Sequence, residues 1–521
     1  MVFSKRDVIV AVDVGTTGLR VGLVRPDLSI EAVAVQSYPT RFAGPGKAEQ
    51  DPLDWWRALR AALAELRQTA SDLPNRAAAL VMAAQLCGVV PVDAEGTPLR
   101  PCLIWLDKRA SAVTRRAMGG FPSVLGYGAF KLLSSLWLTN GAPSLNGMDP
   151  PGKMMWIREN EPAIWSRTHK LLDVKDWLIH RACGRFVTTA DSANLTWMMD
   201  TRPGRCRWSP FLMQRFGLSE ALLPEIMPGD AEVGGLTVAA ASDLGLPQDL
   251  PVIAGCGDVC AAALGSGQVA DGALHLSLGT SSWIGGFFSS RRLKASEGYA
   301  TILSPIGNRP LLIATQESAG SCLDWYDSLA NGEAQTRLFQ ADPGAAPPPL
   351  FLPWLAGERV PADDERLRGA FLGLSLMHDP RSLAQAVIEG VALNTRWAYG
   401  SVVQQKGAQR GKRLRVVGGA TQNRALCQAL ADCLGTELSI GPEARFAGVQ
   451  GVAAIAGAQL GVFADPWTAA ASLGAREEAV FRPDAARKAY FKRRFQLFLD
   501  AYRRTAPWFH SFFMSEASRH D

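Results

Sequence analysis

No run of about 18 uncharged apolar residues occurs in this 521-residue chain, so nothing in it reads as a membrane span. Its nine cysteines include no C-x-x-C pair and no His/Cys cluster with zinc-ligand spacing, and a reduced, cytoplasmic compartment is expected. Met-Val-Phe-Ser-Lys-Arg-Asp runs within a few residues into a strand-like segment, leaving no room for a charged n-region, an apolar h-region and a cleavage site. The six histidines are scattered, with neither a metal constellation nor a Ser/His/Asp pattern among them. No block of like charge stands out either. With 54 basic and 49 acidic residues interspersed and a net charge of +5, a dedicated nucleic-acid surface is not expected.

What is present is the composition of a folded protein: 47% hydrophobic and 20% charged residues, which excludes long disordered tracts. The length exceeds the roughly 250 to 300 residues at which a single hydrophobic core stops growing, so two domains are expected. Val8 to Val12 and Leu19 to Val24 are apolar segments on either side of a Gly/Thr turn, the pattern of a β-hairpin. Asp51-Pro52 supplies an N-cap and an N1 proline for a helix carrying Trp55, Trp56, Leu59, Leu63 and Leu66 on one face. Residues 110 to 250 alternate helical patterns, among them Lys131 to Leu138 and Pro150 to Glu159, with Gly/Pro loops. A second strand-rich unit is expected from Val252, and Ala273 to Phe288 repeats the strand, Gly/Thr turn, strand arrangement of the start. The loop from Ala341 to Pro349 reads as a surface connection. Helices are expected over Ser382 to Tyr399 and Gln422 to Leu434, the latter ending at Gly435.

The two hairpin turns are the segments suited to phosphate. Backbone N–H groups and hydroxyls in Asp13-Val-Gly15-Thr16-Thr17 and in Gly279-Thr280-Ser281 can cradle phosphate oxygens. A carboxylate beside a phosphate is repulsive unless a cation intervenes, so Asp13 points to Mg²⁺, held through water. An ordinary hairpin with glycines for positive φ is the alternative reading of either turn.

Asp13-Val-Gly-Thr-Thr and Leu278-Gly-Thr-Ser-Ser resemble the two phosphate motifs of the sugar kinase, actin and Hsp70 superfamily. Met148-Asp-Pro-Pro-Gly-Lys153-Met-Met-Trp156-Ile-Arg-Glu-Asn160 is similar to the first signature of the FGGY carbohydrate kinases, and Gly369 to Glu389 to the second, with Ser382 departing from it. Gly357-Glu-Arg-Val-Pro361 resembles a segment of xylulokinase-like members. The similarity runs in order from about residue 7 to about 460. It implies an α/β fold of two RNase H-like domains with an interdomain catalytic cleft: residues 1–250 for sugar and phosphate, 251–470 for the catalytic aspartate and nucleotide, and 471–521 as a helical extension. It also implies an ATP-dependent kinase acting on a small sugar, a ketopentose or related polyol. Kinases of ribulose, heptulose, glycerol or tetritol, and a non-catalytic sensor on the same fold, are the alternatives. The expected partners are ATP, Mg²⁺ and the sugar, with neither nucleic acid nor membrane, and a homodimer is the assembly considered.

By the same resemblance Asp258, in a Gly-rich turn after Val252-Ile253 on the second domain, is the catalytic base. An aspartate of ordinary pKa is ionised and able to take the acceptor's proton; an N-terminal helix cap is its structural alternative. Gly418, Gly419, Ala420 and Asn423 match the adenosine motif, although a third glycine is usual at Ala420, and the small-residue helix opening at Gly448 is expected near the same pocket. Gln85, Leu86 and Cys87 match the Gln-Met-His of xylulokinases, and Asp107 and Arg109 belong to a Trp-Asn-Asp-x-Arg segment, so Gln85, Asp107 and Arg109 are expected polyol ligands; a surface salt bridge of Asp107 with a neighbouring base is the alternative. Cys87, Leu106 and Val259 stand where those enzymes carry His, Asn and Asn, so a less polar acceptor pocket and a changed sugar preference are expected.

Overall fold

A computed structural model describes residues 6–330, 347–411 and 413–517. The expected surface loop over Ala341 to Pro349 therefore falls largely outside the described residues. The chain forms two compact units. Unit 1 comprises residues 1–267, 301–311 and 447–473; unit 2 comprises 268–300, 312–446 and 474–521.

Unit 1 is built on a six-stranded sheet in the spatial order Glu232–Gly235, Pro251–Gly257, Ala77–Ala84, Val8–Val14, Gly18–Val24, Ile30–Ser37. Val8–Val14 and Gly18–Val24 form the expected antiparallel hairpin. Val8–Val14, Ala77–Ala84 and Pro251–Gly257 are parallel neighbours, and their continuous apolar runs are those of strands buried on both faces. The helix Pro52–Thr69 starts as read, with the Asp51 side chain accepting from Leu53 N–H and Pro52 in the first turn. It buries Trp55, Leu59 and Leu63 in a core shared with Trp177 of the helix Val174–Cys183. A second cluster in unit 1 gathers Met154 and Ile157 of the helix Pro150–Asn160 with Leu212 and Phe216 of the helix Pro210–Phe216.

Val252–Ile253 does not open the second unit. It pairs with Leu80–Val81 at the centre of unit 1's sheet, because a fully apolar strand needs neighbours on both sides to satisfy its backbone. Asp258, at the end of that strand, is accordingly a unit 1 residue. The small-residue helix Ala447–Gln459 also belongs to unit 1. It lies against the helix Asp258–Gly265, with Gly451 so close to the Ala261 carbonyl, and Gly265 to the Ala447 carbonyl, that a β-carbon at either would overlap it.

Unit 2 repeats the pattern with an eight-stranded sheet, in which Ser282–Phe287, Leu274–Leu278, Arg413–Val417 and Glu437–Ile440 are consecutive neighbours. Again an antiparallel hairpin leads into parallel partners, and the outer strand Ala479–Phe481 is antiparallel. The two similar halves implied by the sequence are thus present as the same pairing scheme. The helix Pro380–Val402 is capped by Asp379, and Arg424–Leu434 ends at Gly435 in the left-handed conformation. The C-terminal helix Lys488–Ala517 inserts Phe491 and Phe498 into the same core as Trp354. Glu389, the last residue of the second signature, is buried; it pairs with Arg487, just before that helix, at 3.0 Å and accepts from the Tyr490 hydroxyl at 2.7 Å, so it fastens the helix to Pro380–Val402. None of the described helices is long and apolar enough to cross a membrane.

Overpacking at a helix crossing this close costs typically 1–3 kcal/mol or more. Gly451→Val should therefore lower the apparent Tm by several degrees, whereas Gly435→Ala, with open space around its α-carbon, should lower it less. Thermal unfolding followed by circular dichroism checks the order.

Candidate active site

Parallel pairing sets Val14 beside Ala84 and Ala84 beside Gly257. The carboxyl ends of three adjacent strands therefore carry Asp13, Gln85 and Asp258 on one edge of unit 1's sheet, the edge at which α/β sheets bind ligands. Asp13 is cross-strand to Arg20, whose Nη1 lies 3.6 Å from its Oδ2. Burial raises the Asp13 pKa and the Arg20 charge opposes that shift. The first turn of the helix Ala447–Gln459 closes over this carboxylate: a β-carbon on Gly448 would stand 2.6 Å from Asp13 Oδ2.

The turn Gly15-Thr16-Thr17 is braced from several sides. Gly15 N–H donates to the Gly18 carbonyl at 3.0 Å, and the Tyr38 hydroxyl donates to the Gly15 carbonyl. Gln50 Nε2 donates to the Thr16 carbonyl at 2.7 Å and Trp105 Nε1 to Thr16 Oγ1 at 2.9 Å. Gln50 in turn accepts from Gln85 Nε2 at 2.8 Å. These bonds leave Gln85 Oε1 as a buried acceptor without a protein partner among the described residues.

Asp258 is the first residue of its helix, and Gly257 occupies the N-cap position. Its Oδ1 accepts from Val259 N–H at 2.8 Å, a local bond that carries part of the cap reading. The ordinary carboxylate pKa expected from sequence does not hold. Burial first, and then the negative charge of Asp13, push Asp258 up to about 8. Beneath it the buried Asp191 accepts the Gly257 N–H at 2.6 Å, and Asp173 accepts the Gly88 N–H at 2.8 Å. Leu86 packs against the same turn, since a β-carbon on Gly257 would meet its Cδ1 at 2.6 Å.

The remaining acceptor candidates divide. Cys87 follows directly and holds a left-handed backbone with φ 66°. Val259 is half-buried on the first turn after Asp258. Leu106 is half-buried and packs against unit 1's core. Asp107 is fully buried, accepting from Ala48 N–H at 2.8 Å and from Arg109 Nε at 2.9 Å. Arg109 also pairs with Glu49 at 2.9 Å and lies over the Trp156 ring. The salt bridge expected as the alternative for Asp107 is a surface one; the pair with Arg109 is buried instead, and it fixes the loop that carries Trp105.

In unit 2, the pairing of Ser277 with Val417 sets the turn Gly279-Thr280-Ser281 beside Gly418-Gly419-Ala420. The Thr280 carbonyl accepts from Ala319 and Ser321 N–H, each at 3.0 Å. Gly418 adopts φ +102°, and a β-carbon there would overlap the Leu278 carbonyl, so only glycine fits. Gly419 is exposed with open space around its α-carbon. Ala420 packs its methyl against the unit 2 core. Asn423 caps the helix Arg424–Leu434 by accepting from Leu426 N–H at 2.9 Å, and its buried Nδ2 has no partner among the described residues.

Among the described residues no group of three His, Cys, Asp or Glu could by itself hold a metal ion. Asp13, beside the Gly15-Thr16-Thr17 turn, is nevertheless a donor that a divalent cation carrying phosphate and water ligands would suit. Gln50, Tyr38, Asp173, Asp191 and the approach of Gly448 escaped the sequence reading. Gln50, abutting the Asp51-Pro52 cap, and Gly448, opening the small-residue helix, stood near a recognisable signal.

Residues 8–265 match the N-terminal domain, and residues 274–460 the C-terminal domain, of the FGGY family of carbohydrate kinases. The xylulose kinase of Escherichia coli (strain K12) is 29% identical over 503 residues, covering 96% of this chain and 99% of the relative. That of Bacillus subtilis (strain 168) is 26% identical over 508 residues, covering 95% and 97%. The crystal structure of xylulose kinase from Rhodospirillum rubrum superposes with a TM-score of 0.79 at 26% identity, covering 96% of this chain and all (100%) of that one. A gluconate kinase from Lactobacillus acidophilus reaches 0.83 at 21% identity, so the fold alone does not select an acceptor. With both family domains matched in order and relatives aligned along nearly the whole chain, this protein belongs to the FGGY family of carbohydrate kinases and is an ATP-dependent sugar kinase.

Proposed function

We propose that the acceptor is a small ketose or polyol of the xylulose type and that its hydroxyl is activated by Asp258. The observation that carries this reading is the alignment of Asp13, Gln85 and Asp258 on three adjacent strand ends. Gln85 Oε1, a buried acceptor without a protein partner, suits a sugar hydroxyl donor, and Leu86, Cys87 and Val259 would line the less polar side. Asp107 and Arg109 would act by holding the Trp105 loop. On unit 1 the N–H groups and hydroxyls of Gly15, Thr16 and Thr17 suit phosphate oxygens. On unit 2, taken by itself, Gly279, Thr280 and Ser281 suit phosphate, and Gly418, Gly419, Ala420 and Asn423 suit adenosine.

Asp13 would hold Mg²⁺ through water, and when bound that ion supplies charge neutralisation to the phosphates. The chain's own contribution to transfer is orientation and proton acceptance. As the new O–P bond forms, the acceptor hydroxyl passes its proton to Asp258 Oδ and ADP departs. A base whose pKa lies near the working pH is well matched to that task.

Asp258→Asn should keep nucleotide binding and lower kcat at least about 10²-fold, within the range for a lost general base. Near-normal turnover in a coupled ADP-release assay would remove Asp258 from the mechanism. The same variant tests the electrostatics. Because Asp258 holds its proton more tightly folded than unfolded, the folded state binds more protons between about pH 4 and about pH 8, and this residue's contribution to stability falls as pH rises through that window. Asp258→Asn should therefore raise the apparent Tm at pH 8.5 and leave it little changed at pH 4.5; equal shifts at both would mean that Asp258 has an ordinary pKa.

Preference among acceptors follows from the replaced side chains. A hydrogen bond to a neutral group contributes about 0.5–1.5 kcal/mol, so two restored bonds correspond to roughly 5- to 150-fold. D-Xylulose should be a secondary substrate in a panel of pentuloses, heptuloses and polyols. Cys87→His with Val259→Asn should raise kcat/KM for D-xylulose without changing the KM for ATP, whereas Leu106→Asn should lower stability alone. If the unmodified enzyme already prefers D-xylulose over every other acceptor, the altered preference fails.

A further inference from the structure

The first signature segment has one residue that the reaction as described leaves without a task. Lys153 is fully buried in the helix Pro150–Asn160, yet no carboxylate among the described residues accepts a hydrogen bond from it. Its Nζ donates to the Cys87 carbonyl at 2.8 Å and to the Ile104 carbonyl at 2.7 Å. These two carbonyls belong to different loops. One is the Gln85–Gly88 segment at the sheet edge, and the other leads into Trp105, which braces Thr16, and into Asp107 and Arg109.

Burying an ammonium is costly, and burial lowers the Lys153 pKa. A helix–loop contact made for stability alone would be served by an apolar side chain of the same volume. What an apolar side chain cannot do is hold two carbonyls in fixed positions. One of them belongs to Cys87, whose φ of 66° is uncommon for a residue with a side chain and needs its surroundings to enforce it. Cys87 turns the chain between Leu86, packed on the Asp258 turn, and Gly88, whose N–H is held by Asp173.

We infer that Lys153 is a positioning residue for the acceptor side of the site: its buried ammonium clamps the Cys87 and Ile104 carbonyls and thereby fixes the left-handed turn that presents Gln85, Leu86 and Cys87. The inference rests on the proposed acceptor role of that segment. It gives the signature lysine a function in sugar recognition and none in nucleotide binding.

Lys153→Met keeps the volume and removes the donors, so kcat/KM for D-xylulose should fall about 10- to 100-fold, the scale of a small misplacement, with the KM for ATP unchanged. Glycine adopts positive φ without strain, so adding Cys87→Gly to Lys153→Met should recover a part of that loss not seen when Cys87→Gly is made alone. A folded Lys153→Met enzyme with unaltered D-xylulose kinetics, or effects at 87 and 153 that are independent, would overturn the inference. Should Lys153→Met fail to fold, Lys153→Ala refilled with n-propylamine carries the test. Recovery of D-xylulose kcat/KM with the amine and not with n-propanol supports the clamp, and equal recovery with both refutes it. Gln85→Ala separates this from the acceptor assignment. If it leaves D-xylulose kinetics unaltered, the assignment itself falls; if it impairs them while Lys153→Met does not, only the clamp falls.

Discussion

Backbone pairing among three parallel strands is the constraint from which the chemistry of unit 1 follows. Val8–Val14, Ala77–Ala84 and Pro251–Gly257 come from widely separated parts of the sequence, yet their register sets Val14, Ala84 and Gly257 in one row. A slip of one residue in any of them would turn its last side chain to the opposite face. The apolar residues that fill these strands therefore do more than stabilise a core. They fix which polar residue emerges at each strand end, and so bring two carboxylates and a buried amide to one place.

That placement has an electrostatic cost. Asp13 and Asp258 are both raised by burial, and the charge of Asp13 raises Asp258 further. Beneath them Asp191 and Asp173 spend their oxygens on the N–H groups of Gly257 and Gly88, leaving the strand-end loops little freedom. A site that gathers carboxyl groups in this way is suited to a ligand that arrives with a cation, which is the form in which a nucleoside triphosphate is handled.

The fold was legible in the sequence because its signals are local. Two Gly/Thr turns between apolar strands, a proline after an aspartate at residues 51–52, and a glycine at 435 each act within a few residues, and each lies where it was read. The partition of the chain was less legible. Val252–Ile253 and the helix opening at Gly448 are apolar segments that would suit either half, and only three-dimensional neighbours decide which. At the site, Asp258 stood out through its glycine-rich setting, but its raised pKa depends on Asp13, 245 positions earlier, and no pattern encodes that. Leu106 is ambiguous for another reason: its departure from a family pattern reads as chemical, while the half-buried side chain also packs against the core.

The helix Ala447–Gln459 has a consequence for how the protein is made. Unit 1 acquires its last segment, residues 447–473, only after most of unit 2 has been synthesised. Some 206 residues separate positions 267 and 473 (473 − 267), and at roughly 5–20 residues per second the ribosome needs about 10–40 s to cross them. Throughout that interval the helix Asp258–Gly265 lacks the glycine-lined partner it packs against in the finished fold, so the surface that closes over Asp13 is among the last parts of unit 1 to be completed.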